Sequence, residues 1–328
     1  MSITEKPANY TANTTAPVAA DAIELTVPDE CAGMRLDQTL ARLLPDFSRS
    51  RLSLWVRRNQ VSLDGETALP RRKVRGGEKI RVLPEPDPRQ TAFRAQDIPI
   101  DILYEDDALL VVNKPAGLVV HPGSGNWQGT LLNALLQHAP ALQHLPRAGI
   151  VHRLDKETSG LLVVAKTLAA QTDLVRQLQA RSVTREYCAV VHGAVARDGK
   201  IDAPIGRHPV QRTRMAVTTR GKPAVTHYHV IERLAGATLL RCRLETGRTH
   251  QIRVHLHSIG HPLIGDPVYG KKSGGTLPTL PPGLRFPRQA LHAEKLALLH
   301  PGSKQHMAWH AELPPDMHNL IKTLGIQT

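Results

Sequence analysis

The stretch that decides the fold is His152-Arg153-Leu154-Asp155-Lys156-Glu157-Thr158-Ser159-Gly160-Leu161-Leu162, which lies between the apolar segments 148–151 and 161–165. This pattern predicts a buried strand, a polar turn and a second strand, an arrangement that holds one short side chain at the floor of a cleft. We place the chemistry on Asp155. From spacing alone the alternative is an aspartate that only caps backbone N–H groups in the turn.

Length and composition limit the possible classes of protein. A chain of 328 residues predicts two domains or one large domain with an appendage, and 41% apolar residues are enough for a packed interior. No apolar run is long enough to cross a bilayer, and residues 1–20 lack the features of a secretion signal. We therefore expect a soluble, cytoplasmic protein. Cys31, Cys188 and Cys242 are too far apart to indicate a disulfide framework or a metal site.

The charge predicts a polyanionic partner. Lys and Arg number 42 against 29 Asp and Glu, which gives a net charge of +13 and a pI near 10.0. Nucleic acid is the first candidate for such a surface. Because aromatic residues make up only 3% of the chain, recognition should depend on phosphate contacts and folded RNA shape more than on stacking. A solvated basic surface without a partner is the alternative.

A small unit is predicted near the N-terminus, after a disordered tail over residues 1–22. Leucines at helical spacing over residues 36–44 indicate one helix, and a second helix follows, capped by Ser48 or Ser50. Strand-like runs at 61–63 and 78–82 complete a unit over residues 23–83.

Basic residues are concentrated in this unit. Between residues 49 and 81 there are ten basic side chains against three acidic ones, a surface able to follow phosphates. An ordinary basic helical hairpin is the alternative. The ten are Arg49, Arg51, Arg57, Arg58, Arg71, Arg72, Lys73, Arg75, Lys79 and Arg81.

A second, larger domain is predicted over residues 100–328, after a stiff, exposed, proline-rich linker at 84–99. Short strand-like runs alternate there with fewer helices, which predicts an α+β domain built on a mainly antiparallel sheet. The predicted strands are 109–112, 118–120, 161–165, 187–191, 226–230 and 239–244, and the predicted helices are 168–180 and 249–259. The Gly- and Pro-rich segment 271–288 is predicted to be a loop.

Residues 152–161 also resemble the signature of the RluA-type pseudouridine synthases, His-Arg-Leu-Asp-x-x-(Thr/Ser)-(Ser/Thr)-Gly-Leu. Three further stretches match in the family's order, namely Asn113-Lys114-Pro115-Ala116-Gly117, Thr184-Arg185-Glu186-Tyr187 and Thr246-Gly247-Arg248-Thr249-His250-Gln251-Ile252-Arg253-Val254-His255. The resemblance covers residues 33 to 320. Residues 34–37 and 48–50 resemble an S-four type RNA-binding domain. The implied fold is a small S-four-like α/β domain followed by an α+β pseudouridine synthase domain.

The resemblance implies roles for three side chains in the site. Asp155 becomes the single catalytic aspartate, and Arg253, in the Gln-x-Arg position, is expected to form a bidentate pair with it. Tyr187 matches a tyrosine whose ring can stack on the uracil and whose hydroxyl can move a proton. Arg248 is the rival for the role of Arg253, and we assign it to phosphate contact. Whether Asp155 acts as nucleophile or base stays open.

The expected RNA-binding residues surround this site and continue into the first domain. Arg153 resembles the arginine that helps to extrude the target nucleotide, with a simple phosphate clamp as the alternative. Lys114 belongs to a turn predicted to border the cleft. The full set is His152, Arg153, Lys114 and Arg248, with Arg35, Arg49, Arg51, Arg57 and Arg58 in the first domain.

No cofactor or metal is expected. Isomerising uridine to pseudouridine is redox neutral, and Lys114-Pro115-Ala116-Gly117 lacks the glycines and the Lys-Ser/Thr ending of a phosphate-binding loop. His250 and His255 are five residues apart, so they diverge on a helix, and no cysteine pair completes a zinc set. The resemblance implies that the partner is large-subunit ribosomal RNA or a pre-ribosomal particle, with helix 69 as target. We expect a monomer and no membrane partner.

Two rival functions remain. A non-catalytic RNA-binding assembly factor would keep the basic surface without needing Asp155, Tyr187 and Arg253 together. A glycosidase that releases the base would need a second carboxylate to activate water, and Glu157 is the nearby candidate.

Overall fold

The computed structural model describes residues 22–84, 92–123, 125–211, 213–270, 280–281 and 283–325. They belong to two compact units that divide between residues 90 and 91. The predicted disordered tail, apart from Ala22, lies outside the described residues. So do residues 85–91 of the predicted linker and residues 271–279 and 282 of the predicted loop. No helix in the described ranges is long and apolar enough to cross a bilayer.

The first unit has the predicted order of two helices followed by short strands. Its helices are α1 (Leu36–Leu43) and α2 (Arg49–Arg57), and its strands are β1 (Ile23–Thr26), β2 (Val61–Leu63), β3 (Glu66–Thr67) and β4 (Lys79–Val82). The strands pair antiparallel in the order β1-β4-β2-β3. Ser48 is the cap of α2, since its side chain accepts from the N–H of Arg51. The apolar faces of both helices pack on the sheet through Leu36, Leu40, Leu52 and Trp55.

The second unit is α+β. Its helices are α3 (Leu131–His138), α4 (Leu168–Gln179), α5 (Gln251–Ser258) and α6 (Pro315–Gly325). Its strands are β5 (Asp101–Glu105), β6 (Leu109–Lys114), β7 (Ser159–Ala165), β8 (Thr184–His192), β9 (Gly199–Asp202), β10 (Ile205–Arg207), β11 (Met215–Val217), β12 (Val225–Leu234), β13 (Ala237–Leu244), β14 (Leu291–Leu299) and β15 (His306–His310).

One nine-stranded sheet organises this unit, and it confirms the predicted fold class. Its strands run in the order β5-β6-β7-β14-β8-β13-β12-β9, with β15 also paired to β14. Every pairing is antiparallel except β7 with β14. Strands β10 and β11 form a separate hairpin. The sheet places β7, which follows Asp155, and β8, which carries Tyr187, on either side of β14.

The glycine of the signature is required where β7 and β14 meet. Gly160 pairs with Ala293 in the parallel register and has a φ of +108°. A Cβ at this position would collide with the backbone carbonyl of Ala293. The close approach of the two backbones therefore accepts only glycine at the position after Ser159.

Two details of the sequence-based prediction are wrong. Residues 118–120 form no strand; Val119 makes a single bridge to Thr130. The linker was predicted to run to residue 99, but residues 92–99 belong to the second unit. The cause is Asn133 in α3, whose Nδ2 donates to the carbonyls of Ala92 (2.9 Å) and Arg94 (2.8 Å). The buried side-chain amide of Asn133 thus holds residues that the sequence composition assigned to the linker.

Candidate active site

Asp155 lies in the turn that precedes β7, and its carboxylate does not cap that turn. The N–H of Thr158 donates to the backbone carbonyl of Asp155 at 3.0 Å. The carboxylate Oδ2 accepts instead from Nη1 of Arg253, also at 3.0 Å. The Asp155 side chain is 15% exposed and lines a cleft of about 860 Å³. The Asp155 carboxylate is therefore held by a cation that is distant in the sequence but adjacent in space, and it faces a space large enough for a nucleotide.

Arg253 connects Asp155 to a second, buried carboxylate. Its Nε and Nη2 donate to both oxygens of Asp266, at 2.7 and 2.9 Å. The bidentate pair predicted between Arg253 and Asp155 is therefore wrong: Asp266 holds the bidentate position and Asp155 accepts one hydrogen bond. Burial lowers the pKa of Arg253, but the hydrogen bonds and charge of Asp266 outweigh this and raise it. The cation is thus fixed before substrate arrives.

Asp266 was missed at the sequence level. Its side chain is fully buried, and Oδ1 also accepts from the N–H groups of Val268 and Tyr269 at 2.8 and 2.9 Å. Burial raises the pKa of this carboxyl, but Arg253 and the two N–H groups lower it below its ordinary value. The available signal was a lone acid in Ile264-Gly265-Asp266-Pro267, an apolar and turn-forming context in which an acidic side chain needs a partner.

Tyr187 lies on β8 and lines the same cleft as Asp155. It is only 5% exposed. Burial raises the pKa of its hydroxyl, and the charge of Asp155 adds to this effect, although nearby Arg185 opposes it. The phenol therefore stays protonated near neutral pH and can donate a hydrogen bond. The structure brings Asp155, Tyr187 and Arg253 together, as the sequence predicted.

His250 also borders Asp155. Its Nε2 lies 3.9 Å from Asp155 Oδ1, and its Nδ1 lies 2.9 Å from the hydroxyl of Tyr269. That hydroxyl also accepts from the N–H of Met215 at 2.9 Å. The contact with Tyr269 at Nδ1 therefore leaves Nε2 as the His250 ring nitrogen that faces Asp155. A left-handed backbone conformation, φ 57° and ψ 23°, sets this orientation.

The turn that carries Asp155 is held from behind by the segment that begins β14. Arg288 Nη1 donates to the carbonyl of Glu157 at 3.0 Å, and Gln289 Nε2 donates to the Thr158 hydroxyl at 3.2 Å. His292 Nδ1 lies 2.9 Å from the Ser159 hydroxyl. These contacts fix three consecutive residues next to Asp155, so the carboxylate needs little reorganisation when substrate binds.

Lys114 is buried inside the protein and does not line the cleft, which contradicts its predicted place on the RNA-binding surface. The residue is fully buried, and Nζ donates to the carbonyls of Pro115, Leu118 and Lys156 at 2.7, 2.9 and 3.0 Å. Burial lowers the pKa of Lys114 to about 7. Three carbonyl acceptors nevertheless require three N–H groups, which only the ammonium form has. Lys114 thus ties β6 to the turn that carries Asp155.

We expect Lys114→Met to lower the free energy of unfolding by about 2 kcal/mol, because it removes the shared donor of three backbone carbonyls. Thermal unfolding followed by circular dichroism should show a midpoint lower by roughly 5 °C. Lys156→Met removes an exposed lysine from the same turn and is the matched control, with an unchanged midpoint. Equal midpoints for both variants would contradict this role of Lys114.

The remaining predicted RNA contacts near the cleft differ in their surroundings. Arg153 and Arg248 are exposed and line the cleft, and Arg248 Nε donates to the carbonyl of Pro223 at 3.1 Å. His152 instead accepts the N–H of Val163 at Nε2, at 3.2 Å. Burial lowers its pKa to about 3, so the ring is neutral. A neutral ring tied to β7 favours a structural role for His152.

In the first unit, the predicted RNA-binding arginines lie at the start of α1 and on or directly after α2. Arg35 and Arg49 both donate to the buried carboxylate of Asp37, at 2.9 and 3.0 Å. Arg51 lies over the rings of Phe47 and Trp55. Arg57 and Arg58 are exposed at the end of α2. The charge of Asp37 offsets part of the charge of Arg35 and Arg49. The exposed arginines of α2 therefore contribute most of the net positive charge of this group.

The other acidic side chains that the structure describes offer no second catalytic carboxylate or metal site. Glu157 does not line the cleft. Glu245 does, but His227 and Arg181 each lie 2.7 Å from one of its two oxygens. Within the described part of the chain, no group of three His, Cys, Asp or Glu residues is placed to hold a metal ion. The geometry gives Asp155 alone a free carboxylate edge in the cleft.

Family models recognise both units. Residues 108–258 match the model described as RNA pseudouridylate synthase, and residues 34–80 match the S4 domain. The first match contains Asp155, Tyr187 and Arg253. Similarity to curated proteins extends over nearly the whole chain, with 60% identity over 302 residues to a protein of Nitrosomonas europaea. This chain belongs to the RNA pseudouridylate synthase family.

Two similar proteins of this family carry the same name. The Nitrosomonas europaea protein is called ribosomal large subunit pseudouridine synthase D, and the match covers 92% of this chain and 88% of that protein. A protein of the same name from Escherichia coli O6:H1 is 52% identical over 304 residues, covering 91% of this chain and 93% of the relative. Members of the family are isomerases, and the second unit is the pseudouridine synthase domain.

Solved structures of family members agree with this fold. Human RNA Pseudouridylate Synthase Domain Containing 4 is 27% identical, with a TM-score of 0.53, over 68% of this chain and 92% of that chain. Human RNA Pseudouridylate Synthase Domain Containing 1 is 29% identical, with a TM-score of 0.52, over 67% and 86%.

Proposed function

We propose that this protein isomerises uridines of large-subunit ribosomal RNA to pseudouridine, with its target in the helix 69 stem-loop and Asp155 as the catalytic residue. The observation that carries the proposal is the Asp155 carboxylate, held by Arg253 at 3.0 Å in a cleft that also contains Tyr187. The substrate class follows from the relatives named ribosomal large subunit pseudouridine synthase D.

The reaction breaks the C1′–N1 bond of a uridine, turns the uracil, forms a C1′–C5 bond and moves the C5 proton to N1. Asp155 supplies the carboxylate, either as nucleophile or as stabiliser and base. Its Oδ2 is tied to Arg253, which leaves Oδ1 facing the base. The Tyr187 ring stacks on the turning uracil, and its protonated hydroxyl donates to a uracil oxygen. Atoms and electrons balance without an oxidant or a second substrate.

The rival functions fit these surroundings less well. A non-catalytic assembly factor has no use for a carboxylate preorganised through Arg253 and Asp266. A glycosidase needs an activated water between two carboxylates, but Glu157 does not line the cleft and Glu245 already has close partners at both oxygens.

Tritium release tests the function directly. Large-subunit RNA labelled with tritium at uracil C5 loses the label when C5 bonds to C1′. We expect release by the protein alone, with EDTA present provided that the RNA stays folded, and carbodiimide mapping should place the product in helix 69. Release of free uracil, or no release from any large-subunit RNA, would refute the proposal. Product outside helix 69 would refute only the target.

The S4 unit is proposed to capture the RNA, and this gives a prediction on salt dependence. In the full chain, Arg57→Gln together with Arg58→Gln should flatten the fall of log K with log salt by roughly 0.7 to 0.9 for each lost phosphate contact. Filter binding over a series of salt concentrations measures this slope. Arg42→Gln, an exposed arginine already paired with Glu30, is the control and should keep the slope. Equal slopes for all three proteins would assign RNA capture elsewhere.

A further inference from the structure

Arg185 is a buried arginine that the mechanism above does not use. It lies on β8 two residues before Tyr187, so both side chains are on the same face of the strand. Arg185 is 7% exposed and lines the cleft with Asp155. A charged group this deep normally has a partner of opposite charge.

Among the residues that the structure describes, Arg185 has no such partner. Its Nε is buried without a hydrogen-bond partner, and Nη2 reaches only the carbonyl of Glu245, at 3.5 Å. Among the described residues, no carboxylate lies within 4.0 Å of its guanidinium. The nearby carboxylate of Glu245 is occupied by Arg181 and His227.

The other two buried arginines show what is missing. Arg253 and Arg288, each 4% exposed, donate through Nε and Nη2 to both oxygens of a carboxylate, Asp266 and Asp316 respectively. Only Arg185 among the three is left without an anion in the part of the chain that the structure describes. Burial lowers the pKa of Arg185, which shows the cost of holding this cation without a counter-ion.

The surroundings of Arg185 leave room for an anion from outside the protein. Gly247 lies against the guanidinium: a Cβ at this position would be 2.9 Å from Arg185 Nη1. The cleft is strongly cationic, because its lining contains six arginines and only two carboxylates, those of Asp155 and Glu245. The six are Arg147, Arg153, Arg181, Arg185, Arg248 and Arg253.

We propose that Arg185 binds a phosphodiester of the RNA, the one adjoining the target uridine. This inference rests on the proposed function, which makes the ligand an RNA whose only anions are phosphates. Tyr187 is two residue steps along the strand from Arg185, roughly 6 to 7 Å, so one nucleotide can reach both side chains. The Tyr187 ring stacks on the base and the Arg185 guanidinium donates hydrogen bonds to the phosphate. The buried cation therefore gains its counter-ion only when the nucleotide is bound.

Single neutral phosphates in the substrate test this contact. A stem-loop RNA on which the wild type releases tritium is made with one methylphosphonate at a time, on the 5′ or 3′ side of the target uridine. One of these two positions should weaken wild-type binding by about 10- to 100-fold, the value of a charge-assisted hydrogen-bonded pair. With a methylphosphonate four or more nucleotides away, the affinity difference between the wild type and Arg185→Met should stay the same as on the unmodified RNA.

Arg185→Met should bind the unmodified RNA more weakly than the wild type, by the same factor by which the sensitive methylphosphonate weakens wild-type binding. Its affinity for the RNA with that methylphosphonate should be no lower than its affinity for the unmodified RNA. Arg185→Lys keeps the charge and should recover part of the affinity. Arg241→Met is the matched control: Arg241 is exposed on the neighbouring strand β13 and pairs with Glu294, so this variant should bind like the wild type and keep its sensitivity to the methylphosphonate. Circular dichroism melting checks the fold of each variant.

Two results would overturn the proposal. In the first, neither methylphosphonate next to the target weakens wild-type binding, a measurement that needs no variant and so does not depend on the folding of Arg185→Met. In the second, a folded Arg185 variant binds normally, stays sensitive to the methylphosphonate and loses only its single-turnover rate, which would make Arg185 a positioning residue for Tyr187. Failure of the proposed function is distinct, because the wild type would then release no tritium from the unmodified RNA.

Discussion

Asp155→Asn is expected to lower the rate of pseudouridine formation roughly 10⁴-fold or more, because the amide keeps the shape of the carboxylate and lacks its charge and basicity. The amide oxygen can still accept from Arg253 Nη1, the single hydrogen bond that the carboxylate makes there. RNA affinity should therefore change by less than about threefold. Single-turnover tritium release and filter binding on the same RNA measure the two quantities.

Glu157→Gln is the matched control for this prediction. Glu157 is two residues from Asp155, but it does not line the cleft, and its backbone carbonyl, not its carboxylate, is the group that Arg288 holds. We expect tritium release close to that of the wild type. If Glu157→Gln were the inactive variant and Asp155→Asn remained within tenfold of the wild type, the catalytic carboxylate would have to be reassigned.

Part of the fold was predictable from local patterns in the sequence, but strand β14, between β7 and β8, and helices α3 and α6 were not among the predicted elements. Alternating and continuous apolar runs give strands β6, β7, β8, β12 and β13, and the periodicity of residues 168–180 and 249–259 gives α4 and α5. The segment 118–120 misled because a short apolar run indicates burial and not strand pairing. The predicted linker was too long because it was based on prolines, which indicate only local backbone conformation. The hydrogen bonds from Asn133 to Ala92 and Arg94 join residues far apart in the sequence, and a local pattern does not show them.

The site was predictable only where a motif names its residues. The resemblance gives Asp155, Tyr187 and Arg253, but it says nothing of which arginine atoms bind which carboxylate. Asp266 is 13 residues from Arg253 and belongs to no motif that the sequence offered. Lys114 was assigned to RNA binding because a lysine is normally exposed. Only the folded chain shows the three carbonyls that bind its ammonium group.

Arg253→Met is expected to reduce turnover by about 10²- to 10³-fold, since it removes the donor that orients Asp155. It should also lower the free energy of unfolding by about 3 to 5 kcal/mol, because Asp266 is left as a buried charge without a partner. Arg248→Met is the contrasting variant. Arg248 is exposed on the rim of the cleft, so its loss should raise KM and leave kcat nearly unchanged. The reverse pattern would exchange the two roles.

The double variant Arg253→Met with Asp266→Asn separates stability from catalysis. The amide oxygen introduced by Asp266→Asn can still accept from the N–H groups of Val268 and Tyr269, as Oδ1 of Asp266 does, and the buried charge is gone. We therefore expect the double variant to regain about half or more of the lost unfolding free energy. Its tritium release should stay as low as that of Arg253→Met, because Asp155 still lacks a donor. Thermal melts and single-turnover rates on both variants measure this. Recovery of activity together with stability would mean that Arg253 serves only to neutralise Asp266 and that Asp155 needs no cation to react.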